Sequence, residues 1–69
     1  LSPTELQVLR RISELRTNRQ IAEEFFISIR TVENHRFKIC QKLKLRGNHA
    51  LLKFSLDHKE KIRANCDEL

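Results

Sequence analysis

A chain with one glycine and one proline among 69 residues has almost nothing with which to build the tight turns that a small sheet requires. Leu, Ile, Glu, Lys and Arg abound instead, and this composition predicts an all-α fold. At this length one compact domain is expected, burying only about 60% of the surface its unfolded chain exposes. No apolar run approaches the roughly 18 residues that span a membrane, and no signal-peptide pattern opens the chain.

Helix starts are written locally. Ser2-Pro3-Thr4-Glu5 supplies a Ser cap, Pro at the first helical position and Glu at the third, a complete capping box. Thr17-Asn18-Arg19-Gln20 repeats the device with Gln, and Ser28 stands three residues before Thr31. The spacing predicts helices over 3–15, 18–25 and 29–43, followed by a fourth over 48–60 once Gly47 has offered a stop. Val8, Leu9, Ile12 and Leu15 share one face of the first helix, and Ile21, Ala22 and Phe25 one face of the second. Val32, Ile39 and Leu43 make a narrow stripe on the third, with His35 and Cys40 at its margins and Leu45 packing back after it. These elements compose a compact four-helix domain over residues 1–60. The polar segment 61–69 is expected as a frayed tail carrying an exposed Cys66.

The net charge of +5 lies entirely between Arg30 and Arg46, where six basic residues face one acid, Glu33. Charge gathered on one element of a small domain is the electrostatic footprint of a nucleic-acid binder. A membrane-surface helix would need a broad apolar face and would leave nothing for a core, so no membrane partner is expected. The second and third helices are joined by only Phe26-Ile27-Ser28, the spacing of a helix-turn-helix whose second helix enters the major groove. Glu33, Asn34, Phe37 and Lys38 project opposite the aliphatic stripe.

These motifs resemble the LuxR-type helix-turn-helix family, found in the output domains of NarL/FixJ-like response regulators. The resemblance rests on Leu1-Ser2-Pro3-Thr4-Glu5 with Val8-Leu9, then Thr17 to Ala22, Ile27-Ser28, Thr31 to His35, Ile39 and Lys42-Leu43. It covers about Leu1 to Leu56. What it implies is sequence-specific double-stranded DNA binding by a bacterial transcriptional regulator in the cytoplasm, as the C-terminal output domain of a two-component response regulator, with RNA polymerase a partner of the full protein. Base reading would fall to Glu33, Asn34 and Phe37, with Lys38 a neighbouring candidate. Backbone contacts would fall to Thr17, Asn18 and Arg19 at the start of the second helix, and to Ser28, Arg30, Thr31, Arg36 and Lys42. A homodimer through the fourth helix is also implied, and the surplus of apolar positions there (Leu52, Phe54 and Leu56 beyond the core set) independently asks for a second surface.

Three positions depart from the family pattern. Leu15 stands where glycine is usual, so the first helix is expected to run on; Arg11 stands at an often apolar site, its stem along the core edge. Phe37 offers no hydrogen bond, so its readout would be contact with a thymine methyl. Other readings stay open beside these. Lys38 suits a phosphate as well as a base edge, Arg36 fits a structural ion pair with a second-helix glutamate as well as a phosphate, and Thr17, Asn18 and Ser28 serve as caps without DNA. Phe37 and the basic face would also suit a helical protein-interaction module, and a sigma-factor promoter-reading region shares the motif. No Gly-rich loop, metal-ligand spacing or convergent acid, base and nucleophile points to an enzyme, a cofactor or a metal, and Cys40 is expected as a buried free thiol.

Overall fold

Val8, Leu9 and Ile12 form the spine of a core to which every other helix contributes residues. The computed structural model describes residues 1–67. It contains α1 (Pro3–Ser13), α2 (Asn18–Phe25), α3 (Ile29–Leu43), α4 (Gly47–Asp57) and α5 (Lys59–Asp67), with no strand among the described residues. The fold is all-α as expected, with five helices instead of four. α1 is central, touching α3, α4 and α5, while α2 packs on α3. Ile21, Ala22, Val32, Ile39, Leu51 and Ile62 close over the α1 spine. Each buried Val, Leu or Ile contributes about 1.5–3 kcal/mol, and Ala22 less.

The N-termini follow the local code. Ser2 and Glu5 form the reciprocal box, with Ser2 Oγ accepting from the Glu5 amide at 3.2 Å and Glu5 Oε1 from the Ser2 amide at 2.9 Å. Thr17 and Gln20 repeat it at 3.1 and 2.9 Å. Ser28 Oγ accepts from the Thr31 amide at 3.1 Å.

The C-termini share one device that composition conceals. Each of the first three helices closes through a residue in the left-handed region: Leu15 (φ 63°), Phe26 (φ 55°) and Lys44 (φ 57°). The next amide then reaches back to a carbonyl five residues earlier: Arg16 to Arg11, Ile27 to Ala22, and Leu45 to Cys40. Glycine usually occupies the left-handed position because it has no Cβ to strain. Here Ile27 and Leu45, the residues just beyond two of these turns, pack against the core and offset the strain.

Four expectations are corrected. The first helix does not run on: it ends at Ser13, and Leu15 takes up the left-handed turn with its side chain 67% exposed, outside the core face. Gly47 is not the stop after α3; Lys44 is, and Gly47 (φ 82°) opens α4. The fourth helix ends at Asp57, short of residue 60. The segment from Lys61 is no frayed tail, because α5 lays Ile62 and Cys66, one turn apart, into the core against α1. Cys66 is therefore buried, not exposed; residues 68 and 69 of that segment lie outside the described residues. Two apolar positions four apart are a faint signal in a polar sequence, yet they suffice once a helix beside them offers an apolar wall.

Candidate nucleic-acid interface

α3 is pinned on one side and open on the other. Val32 and Ile39 are fully buried, Cys40 is buried beside them, and Leu43 packs partly into the same core. Arg30, Glu33, Asn34, Phe37, Lys38 and Gln41 are all exposed on the remaining surface. Arg30, Asn34, Phe37 and Gln41 recur at three- and four-residue steps, so they form one ridge along the helix. Phe37 is 63% exposed, a large apolar side chain that the core does not use. It borders a hollow formed with Glu33, Gln41, Leu45 and Asn48, where the first turn of α4 approaches α3.

The start of this ridge is set by the short connection from α2. The Ile27 amide returns to Ala22 and Ser28 caps α3, so the first turn of α3 is held directly against α2. The Ser28 and Thr31 hydroxyls also lie 2.9 Å apart and engage one another.

The residues expected to touch backbone divide by what already holds them. Thr17 and Ser28 are committed as caps, with Thr31 bonded to Ser28. Arg19 pairs with Glu23 one turn on, at 3.4 Å and almost wholly in solvent. Arg30 and Lys38 make no salt bridge among the described residues. Asn18 is half-buried, in a hollow shared with Leu15, Thr17, Arg36 and Leu52.

Two more of the cations have structural partners. Arg36 is half-buried and has no glutamate partner among the described residues; its Nε donates to Asn48 Oδ1 at 3.5 Å, and burial pushes its pKa below the usual guanidinium value. The second-helix glutamates are used elsewhere: Glu24 accepts from both Arg11 and Arg16 at 3.0 Å. Arg11 thereby gains a partner at the core edge, with its guanidinium also 5.3 Å from the Phe25 ring centre. Lys42 departs furthest from expectation. Its Nζ lies 2.6 Å from Oε1 of Glu5, a carboxylate buried in the first turn of α1. The Lys42 and Ser2 hydrogen bonds hold the Glu5 carboxyl down at about 2, overcoming the opposing effect of its burial.

Lys44, Arg46 and Gln41 were missing from the expected interface, although all three are exposed within or beside the basic stretch. The charge count already contained the two cations. Arg46 stands at the cap position of α4, whose first turn has no side-chain cap.

The three apolar residues expected at a dimer face do not share a face. Leu52 and Leu56 stand one turn apart with His49, Lys53 and Asp57 beside them. Phe54 lies about 200° round the helix from Leu52. Both Leu52 and Phe54 pack partly against the core, from opposite flanks of the buried Leu51, and the Phe54 ring lies 4.5 Å from that of His58. Leu15, in its left-handed turn, lines a hollow with Leu52 and extends the outward apolar strip.

No metal-ligating cluster of His, Cys, Asp or Glu occurs among the described residues, and no helix is long and apolar enough to cross a membrane. The chain is 41% identical over 59 residues to the protein called oxygen regulatory protein NreC of Staphylococcus carnosus (strain TM300). It is 39% identical over 59 residues to the proteins of that name from Staphylococcus aureus strains JH9 and JH1. The match takes in 86% of this chain but 27% of those proteins, so the chain spans about a quarter of their length. No solved structure matches it significantly. Residues 1–55 match the family described as bacterial regulatory proteins, luxR family, with the capped helices and the exposed α3 ridge inside the match. The chain belongs to the luxR family of bacterial regulatory proteins.

Proposed function

We propose that this chain is the DNA-binding output module of a cytoplasmic bacterial transcription regulator, with α3 reading the major groove in a sequence-specific manner. The observation that carries the reading is the two-sidedness of α3. An aliphatic anchor holds it from behind while Asn34, Phe37, Glu33 and Lys38 stand together in solvent. A groove receives a convex rod of about this width. In this reading Asn34 pairs with an adenine edge, Glu33 accepts from a cytosine amine and Phe37 meets a thymine methyl, while Lys38 on the flank meets a phosphate.

Register on the backbone comes from Arg30, Thr31 and Arg36 on α3, from Ser28, and from Thr17, Asn18 and Arg19 at the start of α2. Lys44 and Arg46 extend the cationic track. Two copies assemble through α4 on Leu52 and Leu56, with Leu15 adding to the strip, so that paired half-sites are read together. α5 docks on α1 and leaves that strip open. The whole regulator belongs to a two-component system and works with RNA polymerase.

Selection of bound sites from random duplexes tests the reading. An enriched motif, bound with a steep fall in log affinity against log salt, is the expected result. Recovery of no motif, with weak binding that ignores salt, would remove it.

A further inference from the structure

We propose that Glu5, remote from the reading face, is a specificity-determining positioning residue: through Lys42 it fixes the tilt of α3 and so the depth at which Asn34 and Phe37 enter the groove. The inference rests on the DNA-reading role of α3. Glu5 is 4% exposed, and its carboxylate joins two elements at once, accepting from the Ser2 amide at 2.9 Å and from Lys42 Nζ at 2.6 Å. Lys42 sits in the last turn of α3, at the end opposite the connection to α2. Among the described residues this is the only salt bridge that α3 makes.

The rest of the α3 footing on α1 is aliphatic: Val32 and Ile39 against the Val8, Leu9 and Ile12 spine. Such surfaces attract without direction, so a helix can rock upon them. A charged pair with one buried partner has a preferred distance and angle, and it resists rocking. Lys42 lies eight residues from Asn34, about 12 Å along the axis, so a tilt of roughly 5° moves Asn34 by about 1 Å. Recognition groups must hold position to about 0.5 Å. Lys42 is thereby a strut first, with its ammonium held by Glu5 and about half of its side chain in solvent.

The test compares Glu5→Gln, Lys42→Arg and the paired Glu5→Gln/Lys42→Met with the unaltered 69-residue chain, on its selected duplex and on a random duplex at several salt concentrations. Gln preserves the capping box, so α1 still starts where it does. The paired variant has the same net charge as the unaltered chain. The readout is the ratio of selected-site to random-site affinity. A loss of folded protein lowers both affinities alike and leaves that ratio unmoved. Glu5→Gln is expected to lower the ratio about tenfold, within the range for one weakened bidentate base contact. The paired variant should lower it similarly with an unchanged salt slope, and Lys42→Arg should keep it within about twofold. If Glu5→Gln leaves the ratio unchanged while the paired variant reduces the salt slope by about one, Lys42 is a phosphate contact and the strut is overturned. If the unaltered chain selects no site at all, the DNA reading fails first and takes the strut with it.

Discussion

The Cys66 thiol lies 3.5 Å from the carbonyl oxygen of Leu6, joining the end of α5 to the first helix across sixty residues of chain. Ile62, one turn earlier, is 4% exposed against the same wall. α5 begins after the family match ends at residue 55, yet it completes the core instead of trailing from it. Ile62→Ala should therefore cost about 2–5 kcal/mol of unfolding free energy, by lost burial and the cavity left behind. Urea denaturation followed by circular dichroism measures it; an unchanged midpoint would mean that α5 adds nothing.

Leu15 spends conformational energy for which its exposed side chain gains little. A left-handed non-glycine residue costs about 1–2 kcal/mol, and glycine at that place removes most of the strain while adding some unfolded-state entropy. Leu15→Gly is expected to stabilise the domain by about 0.5–1 kcal/mol, raising Tm by a few degrees for a chain of this size. A drop in Tm would show instead that Leu15 contributes packing against Leu52.

The Glu5 carboxyl titrates at about 2 in the folded chain and near 4.5 when unpaired. Its folded value is depressed, so its contribution to stability is fully present above pH 4.5. That contribution drains away as pH falls from there towards 2. The full shift would correspond to about 3 kcal/mol. Screening at half-exposed Lys42 reduces this to about 1–2 kcal/mol. Urea midpoints between pH 6 and pH 2.5 should fall more steeply for the unaltered chain than for Glu5→Gln. Parallel profiles would show that the pair carries no such linkage.

Asn34 and Lys38 are close neighbours on α3 with different expected tasks. Asn34→Ala should cost about 1–3 kcal/mol at one base pair of the selected site and spare binding to random duplex. Lys38→Ala should weaken both and reduce the salt slope by up to about one. Competition titrations with single-base variants of the site separate the two; identical losses on every sequence for both substitutions would sink the division between reading and positioning.

Leu56 is 44% exposed on the outer strip of α4, whereas Phe54 is partly buried against the core. Leu56→Glu should leave folding intact and reduce affinity for a duplex with two half-sites about tenfold or more, through lost avidity, while single-half-site affinity holds. Phe54→Ala should do the reverse, lowering Tm by opening a gap. Sedimentation on both duplexes records the outcome, and a two-half-site affinity that Leu56→Glu leaves at the unaltered value would exclude assembly through this strip.

The bounds of α2 and α3 were legible because the interactions that set them are local. Thr17 with Gln20, and Ser28 with Thr31, are three residues apart, so the letters alone contain both partners. The aliphatic stripe of α3, and with it the outward place of Asn34 and Phe37, follows from helical periodicity in the same way. What tertiary structure decided involves residues that sequence spacing does not bring together. Lys42 reads as one more surface cation until α1 swings Glu5 beneath it, 37 positions away. Ile62 and Cys66 read as a polar tail until α1 offers a wall. Leu15 reads as a core leucine until closure of the turn forces it outward. For Lys42, Ile62 and Cys66 the deciding energy is a contact that exists only once two distant helices have met, and no window along the chain contains both sides of it; for Leu15 the partners are local, but no glycine marks the turn.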